Sequence, residues 1–377
     1  MKLGIYVHIP FCRQKCRYCD FPSYAGMEAL YEDYLAALCR EIDGKGGLFS
    51  HSTVDTVFIG GGTPTLLAQQ QLERLLDALQ RSFVFDAGAE ITIEANPGTV
   101  SRDKLKSMQK MGINRISFGV QSFNDSLLRE IGRIHTAVEA VEAVCFARQA
   151  GFDNINIDLI SGLPRQTLAD WQDTLRQAVD LEVQHISAYG LKVEDGTPFA
   201  AAAAAGTLRL PDEEEDEAMY DLTTEWLPGQ GFFRYEISNY ARPGRECRHN
   251  LKYWRYEPYL GLGAAAHSFS GGCRTANTAD VAQYVAKLLR GDSPVEFSED
   301  IGRDTAMSEF VFLALRTVGG VAFSQFSERF GMTFTACFGQ SVEKLKKMGL
   351  IEVGKDGLWL TPRGMKYGNV AFEEFLI

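Results

Sequence analysis

Six short apolar, β-branched runs, each followed by an amphipathic stretch, constrain this chain more than any other feature. The runs are LGIYVHI (3–9), VDTVFIG (54–60), AEITIEA (89–95), NRISFGV (114–120), NINIDLI (154–160) and HISAYGL (185–191). Between them lie LYEDYLAALCREI (30–42), QQLERLLDALQRSF (70–83), SRDKLKSMQKMG (101–112) and LADWQDTLRQAVDL (168–181), with apolar residues at helical spacing. Strand, helix, strand, repeated in this way, builds an α/β fold around a parallel sheet with helical crossovers. Six units are fewer than the eight of a closed barrel, so the count predicts a partial (β/α)6 barrel, with a doubly wound sheet as the alternative.

Beyond residue 191 the texture changes. An Ala run (200–205) precedes an acidic run, Asp212–Glu217, which reads as the solvated start of a helix. An aromatic segment, HNLKYWRYEPYLGLGAAAHSF, spans 249–269. We expect a larger domain over 1–294 and a smaller α+β one over 295–377. The latter's SVEKLKKMGLIEVGKDGLWLTPRGMKYGN reads as helix, hairpin with a Lys-Asp-Gly turn, then helix, which resembles a winged-helix module. Its mild basic excess reads as a solvated helix face. The net charge of −11 argues against nucleic acid as a partner. No run approaches the ~18 apolar residues of a membrane span, and MKLGIYVHIPFC lacks the pattern of a signal peptide. A cytoplasmic protein is expected.

Cytoplasmic thiols stay reduced, so clustered cysteines there point to metal binding or catalysis rather than disulfides. Cys39, Cys145, Cys247, Cys273 and Cys337 are scattered and read as small buried hydrophobes. Cys12, Cys16 and Cys19 fall within eight residues, just after the first strand. A [4Fe–4S] cluster usually takes four thiolates; with three, one iron keeps an open position. The loop lies at the C-terminal end of the sheet, where such folds place their sites. A zinc site would need a fourth ligand, for which His8 is nearest, but His8 sits in a strand pattern and reads as a packed or supporting residue.

CxxxCxxC with an aromatic, Tyr18, before its last cysteine resembles the radical S-adenosylmethionine (radical SAM) superfamily. The resemblance implies a [4Fe–4S] cluster on Cys12, Cys16 and Cys19 whose open iron chelates the amino and carboxylate groups of SAM. One electron would then cleave SAM to a 5′-deoxyadenosyl radical. GGGTPT (60–65) follows the second strand, where glycines let a ligand approach the backbone. Glu94, Gln121 and Asp158 stand at or near the ends of the third, fourth and fifth strands, and Arg133 follows the fourth. Nearly the whole chain resembles the oxygen-independent coproporphyrinogen III oxidase family. By that resemblance Tyr6, Tyr18, Gly61, Gly62, Thr63, Glu94, Gln121, Arg133 and Asp158 match SAM-contacting positions.

That architecture is shared by the oxidases and by a HemW-like heme chaperone group, and three features favour the second. The oxidases continue CxxxCxxCxC, whereas Phe21 stands at the last position here. They also carry a segment before the cluster loop, which this chain is expected to lack. Finally, His249-Asn250-Leu251-Lys252-Tyr253-Trp254 matches the HNxxYW motif of the chaperone group. Imidazole ligates heme iron well, and Tyr and Trp offer flat apolar faces for a porphyrin. The resemblance thus implies heme contact at His249, Asn250, Tyr253 and Trp254, with His267 and the Cys247 thiolate as further candidate ligands. The function expected is a heme chaperone that binds heme as cargo and delivers it to an apo-hemoprotein, with peripheral association at the inner face of the membrane. No catalytic residue is assigned. The alternative is a true oxidase that decarboxylates coproporphyrinogen III to protoporphyrinogen IX. The C-terminal unit is expected to cover the open side of the barrel or to dock a client.

Overall fold

The computed structural model describes residues 1–377. The six apolar runs form six parallel strands: β1 (Lys2–Ile9), β2 (Thr53–Gly61), β3 (Val84–Ala95), β4 (Arg115–Gln121), β5 (Ile155–Ser161) and β6 (His185–Gly190). They lie side by side in chain order, each bonded to the next. A doubly wound sheet reverses its order part-way; this sheet does not, so the fold is the partial barrel. β1 and β6 are not bonded to each other, which leaves the barrel open.

Alternation along each strand separates core from interior. On β1, Leu3, Ile5, Val7 and Ile9 are fully buried in the main core, which also takes Leu35, Leu38, Leu72 and Leu75 from two crossover helices. Gly4, Tyr6 and His8 point the other way, as a two-residue period requires. The crossover helices are Tyr31–Gly46, Gln69–Ser82, Arg102–Lys110, Ala137–Ala150 and Leu168–Asp180. Local chemistry sets where they start. Thr167 accepts from the Asp170 N–H at 3.2 Å while the Asp170 carboxylate accepts from the Thr167 N–H at 3.0 Å, a reciprocal cap. Trp171, in the next turn, is wholly buried and donates from Nε1 to Thr223 Oγ1 at 2.9 Å.

The sheet extends at both edges. β7 (Phe233–Arg234) and β8 (Asn239–Ala241) add antiparallel beside β6, while β9 (Tyr259–Leu262) pairs parallel to β1. Beyond β9 follow β10 (His267–Ser270), β11 (Cys273–Asn277) and β12 (Val295–Asp300), each antiparallel to its neighbour. The sequence placed the start of the smaller unit at residue 295. Val295–Asp300 instead belongs to the large sheet, with Thr275 opposite Ser298. The cause is long-range pairing that no local pattern announces.

The second core draws Phe310, Phe326, Phe334, Phe338 and Phe375 together, and Tyr256 and Phe269 of the larger unit pack into it. The expected helix, hairpin and helix are present as Phe334–Lys347, β14 (Ile351–Val353) with β15 (Gly357–Leu360), and Pro362–Lys366; β13 (Val321–Ala322) completes a small antiparallel sheet. No helix is long and apolar enough to cross a membrane.

Candidate functional site

The cysteine loop leaves the C-terminal end of β1 and is tied down by backbone hydrogen bonds: Cys12 N to Tyr24 O (2.9 Å), Tyr24 N to Pro10 O (2.8 Å) and Arg17 N to Ile131 O (3.0 Å). Its three thiols are free and line one cavity of about 490 Å³. Thr63 Oγ1 donates to Cys12 Sγ at 3.7 Å and Arg133 Nη1 to Cys16 Sγ at 3.6 Å. His8 is held away from the thiols. Its Nδ1 bonds the Tyr6 hydroxyl (2.9 Å) and its Nε2 the Pro22 carbonyl (2.8 Å), so it supports the loop as the sequence indicated.

The glycines at the end of β2 are required by how closely that loop approaches. Gly61 has φ +109°, and a Cβ there would lie 2.5 Å from the His8 ring; one on Gly62 would lie 2.5 Å from Phe11 O. The Gly61 N–H donates to Glu94 Oε2 at 3.0 Å. Strand register then aligns the interior polar groups, Glu94 beside Ser117 and Gly119 beside Asp158. Asp158 accepts from Ser117 Oγ (2.9 Å) and Asn156 Nδ2 (2.8 Å). Burial, with the Asp158 charge added, pushes the Glu94 carboxyl up to about 7.

Gln121 sits at an irregularity of β4 with φ +69°, and its buried Oε1 has no partner. Arg133 donates to Asn96 Oδ1 and Gly119 O, but its Nε has no partner either. Two carboxylates, a vacant amide oxygen and a guanidinium around three thiols suit a zwitterion bearing both ammonium and carboxylate. The donor set therefore fits a cluster with SAM. Tyr6, Tyr18, Gly61, Gly62, Glu94, Gln121, Arg133 and Asp158 all line the cavity. Thr63 stands behind it, bonding Cys12 and accepting from Asn96 Nδ2 at 2.8 Å.

The HNxxYW segment forms the short helix Arg248–Trp254 at the opposite, N-terminal end of the barrel. Glu90 of β3 accepts from the Arg248 and His249 N–H groups at its start (3.3 and 3.2 Å). His249, Asn250 and Tyr253 line the far end of the same cavity. His249 is 1% exposed, with Nδ1 bonded to Thr56 Oγ1 and Nε2 to the Tyr253 hydroxyl, both at 2.9 Å. Burial, with the charges of Lys252 and Arg115, holds its pKa down at about 3. The sequence expected an available iron ligand; the structure shows a neutral imidazole with both nitrogens occupied.

Trp254 departs from the expectation as well. It is absent from the cavity wall, and the Arg316 guanidinium lies 4.4 Å over one face of its ring. Cys247 is fully buried beside Glu90, its thiol pushed up to about 12, and His267 is exposed at the start of β10; neither lines the cavity. Arg115, Ser117, Asn156, His185 and Ser187 do line it and were missed. Their signal was polar residues at alternate positions of RISFGVQ, INIDLIS and HISAYG.

A thiol-bearing loop at the C-terminal mouth of a partial barrel, facing a polar pocket for a zwitterion, defines a radical SAM protein. Family models agree, the Radical SAM superfamily matching residues 6–178 and the HemN C-terminal domain residues 301–367. Heme chaperone HemW of Bacillus subtilis (strain 168) is 38% identical over 372 residues, 98% of either chain. HemW of Haemophilus influenzae is 36% identical over 387 residues, 99% of this chain and 98% of that one. Among solved structures, coproporphyrinogen III oxidase (HemN) from Escherichia coli, a radical SAM enzyme, superposes with a TM-score of 0.88 at 28% identity, covering 99% of this chain and 90% of the other. The chain belongs to the heme chaperone HemW family.

Proposed function

We propose that this protein binds heme and delivers it to apo-hemoproteins. The observation that carries this is the near-complete match to HemW of Bacillus subtilis at 38% identity, against 28% for the oxidase HemN. Phe21 at the position where the oxidases carry a further cysteine favours the same conclusion. Cys12, Cys16 and Cys19 would hold a [4Fe–4S] cluster and leave one iron for SAM; together these groups supply one-electron chemistry when bound. This chain's own residues do the rest. Glu94 and Asp158 offer acceptors for the ligand's ammonium, Gln121 of β4 and Arg133 of the loop beyond face it, and Gly61 lets it approach the backbone.

Heme would enter the cavity and contact the His249–Asn250–Tyr253 wall. For His249 to ligate iron one of its hydrogen bonds must open, and the Tyr253 hydroxyl is the partner on the cavity side. Delivery would take place in the cytoplasm, with acceptors at the inner face of the membrane. The test is an anaerobic titration of cluster-reconstituted protein with heme, followed by desalting, beside an incubation with coproporphyrinogen III and SAM. Retention of about one heme per chain without carbon dioxide release is expected. Carbon dioxide release without heme retention would make the protein a decarboxylase.

A further inference from the structure

One buried charged side chain of the cavity is assigned to neither the cluster nor SAM. Arg115 opens β4, is 2% exposed and lines the cavity at the end away from the cysteines. Its Nε has no hydrogen-bond partner, and Arg115 belongs to no ion pair of the molecule. The carboxylates whose charge reaches it, Glu90 and Asp158, are engaged elsewhere. Glu90 caps the helix Arg248–Trp254 and takes the Cys247 thiol; Asp158 takes Ser117 and Asn156. A guanidinium withdrawn from water with no carboxylate bonded to it is costly, and a fold retains one where an anion will meet it.

The neighbours suit one carboxylate. Ser117, Asn156 and Ser187 form a hydrogen-bonded cluster on the same wall, with Asn156 Nδ2 2.7 Å from Ser117 Oγ and 3.1 Å from Ser187 Oγ. His185 beside them bonds Asn156 Oδ1 and the Tyr235 hydroxyl, and burial keeps it neutral, so Arg115 is the cation of this region. Glu94 and Asp158 line the cavity too and would repel a phosphate dianion more than a carboxylate monoanion. The pocket's other guanidinium, Arg133, lies beside the thiols, where a SAM carboxylate belongs.

We propose that Arg115 anchors a propionate carboxylate of the tetrapyrrole cargo, a proposal that rests on the heme function above. Heme's only anionic arms are its two propionates. A flexible arm entering from the mouth would place its carboxylate on the guanidinium while the ring lies along the His249–Tyr253 wall.

The test compares heme with its dimethyl ester, titrated anaerobically into the full, cluster-reconstituted, SAM-loaded chain. Wild type is expected to bind the free acid at least about tenfold more tightly, the scale of a buried charge-assisted pair. Arg115→Met should abolish the preference and Arg115→Lys retain part of it. Equal affinity of wild type for acid and ester would overturn the proposal, without needing any variant to fold. So would an undiminished preference in Arg115→Met, or a loss of SAM affinity there with the preference intact, which would assign the guanidinium to SAM. If wild type binds neither compound, the heme function itself fails and the anchor with it.

Discussion

Glu94→Gln isolates the tension between folding and ligand binding in this cavity. The Glu94 carboxyl, ordinarily near 4.5, is raised to about 7 by burial and by the Asp158 charge. Between those values the folded protein holds a proton that the unfolded chain has released. Its contribution to stability is therefore fully present below pH 4.5, falls as pH rises towards 7, and stays lost above. At about 1.4 kcal/mol per pH unit the difference reaches about 3 kcal/mol, an upper bound because water in the open cavity screens the charge. Glutamine keeps the acceptor for the Gly61 N–H and removes the ionisation.

Free of cluster and SAM, Glu94→Gln should resemble wild type near pH 5 and be more stable at pH 8.5, by as much as about 3 kcal/mol. Its SAM affinity should fall, because an amide answers an ammonium less well than a carboxylate does. Urea denaturation followed by tryptophan fluorescence at pH 5, 7 and 8.5 measures the first effect, and equilibrium dialysis against SAM the second. A stability difference that does not change with pH, or a variant less stable at pH 8.5, would refute the reasoning.

Other substitutions probe the supports. Gly61→Ala combines a left-handed backbone with a Cβ 2.5 Å from the His8 ring, so the cysteine loop should shift and reconstituted iron content should fall below half of wild type. Trp171→Ala removes a wholly buried ring and should cost about 3–5 kcal/mol in denaturation. His249→Ala leaves the Thr56 and Tyr253 hydroxyls without their partner, for a loss of about 1–3 kcal/mol, and should leave the cluster's absorption unchanged.

Local pattern made the six parallel strands legible, because buried parallel strands read as β-branched runs, but left their chain-order winding beside a doubly wound alternative until the strand pairing was seen. It also located the thiol loop, whose ligands are close in sequence. Three features escaped. Val295–Asp300 gains its place only by pairing with β11, a contact that sequence does not encode locally. Trp254 follows Tyr253 by one residue, about 100° further round a short helix, and so turns to Arg316 instead of the cavity. Arg115, Asn156 and His185 were read as parts of apolar runs, although their alternation with Ile116, Ile157 and Ile186 marks an interior-facing polar stripe. The difference between an available and a fully bonded His249 depends on Thr56, far off in sequence, and no motif carries it.

Heme transfer tests the central claim most directly. Cluster-reconstituted protein carrying about one heme per chain is mixed anaerobically with the apo-form of a b-type hemoprotein, the two are separated, and heme is quantified on each by absorption. Heme leaving this protein and appearing in the acceptor, faster than from the same concentration of heme on an unrelated heme-binding protein, is the predicted result. Heme retained by this protein, or transferred no faster than from the unrelated carrier, would contradict the account.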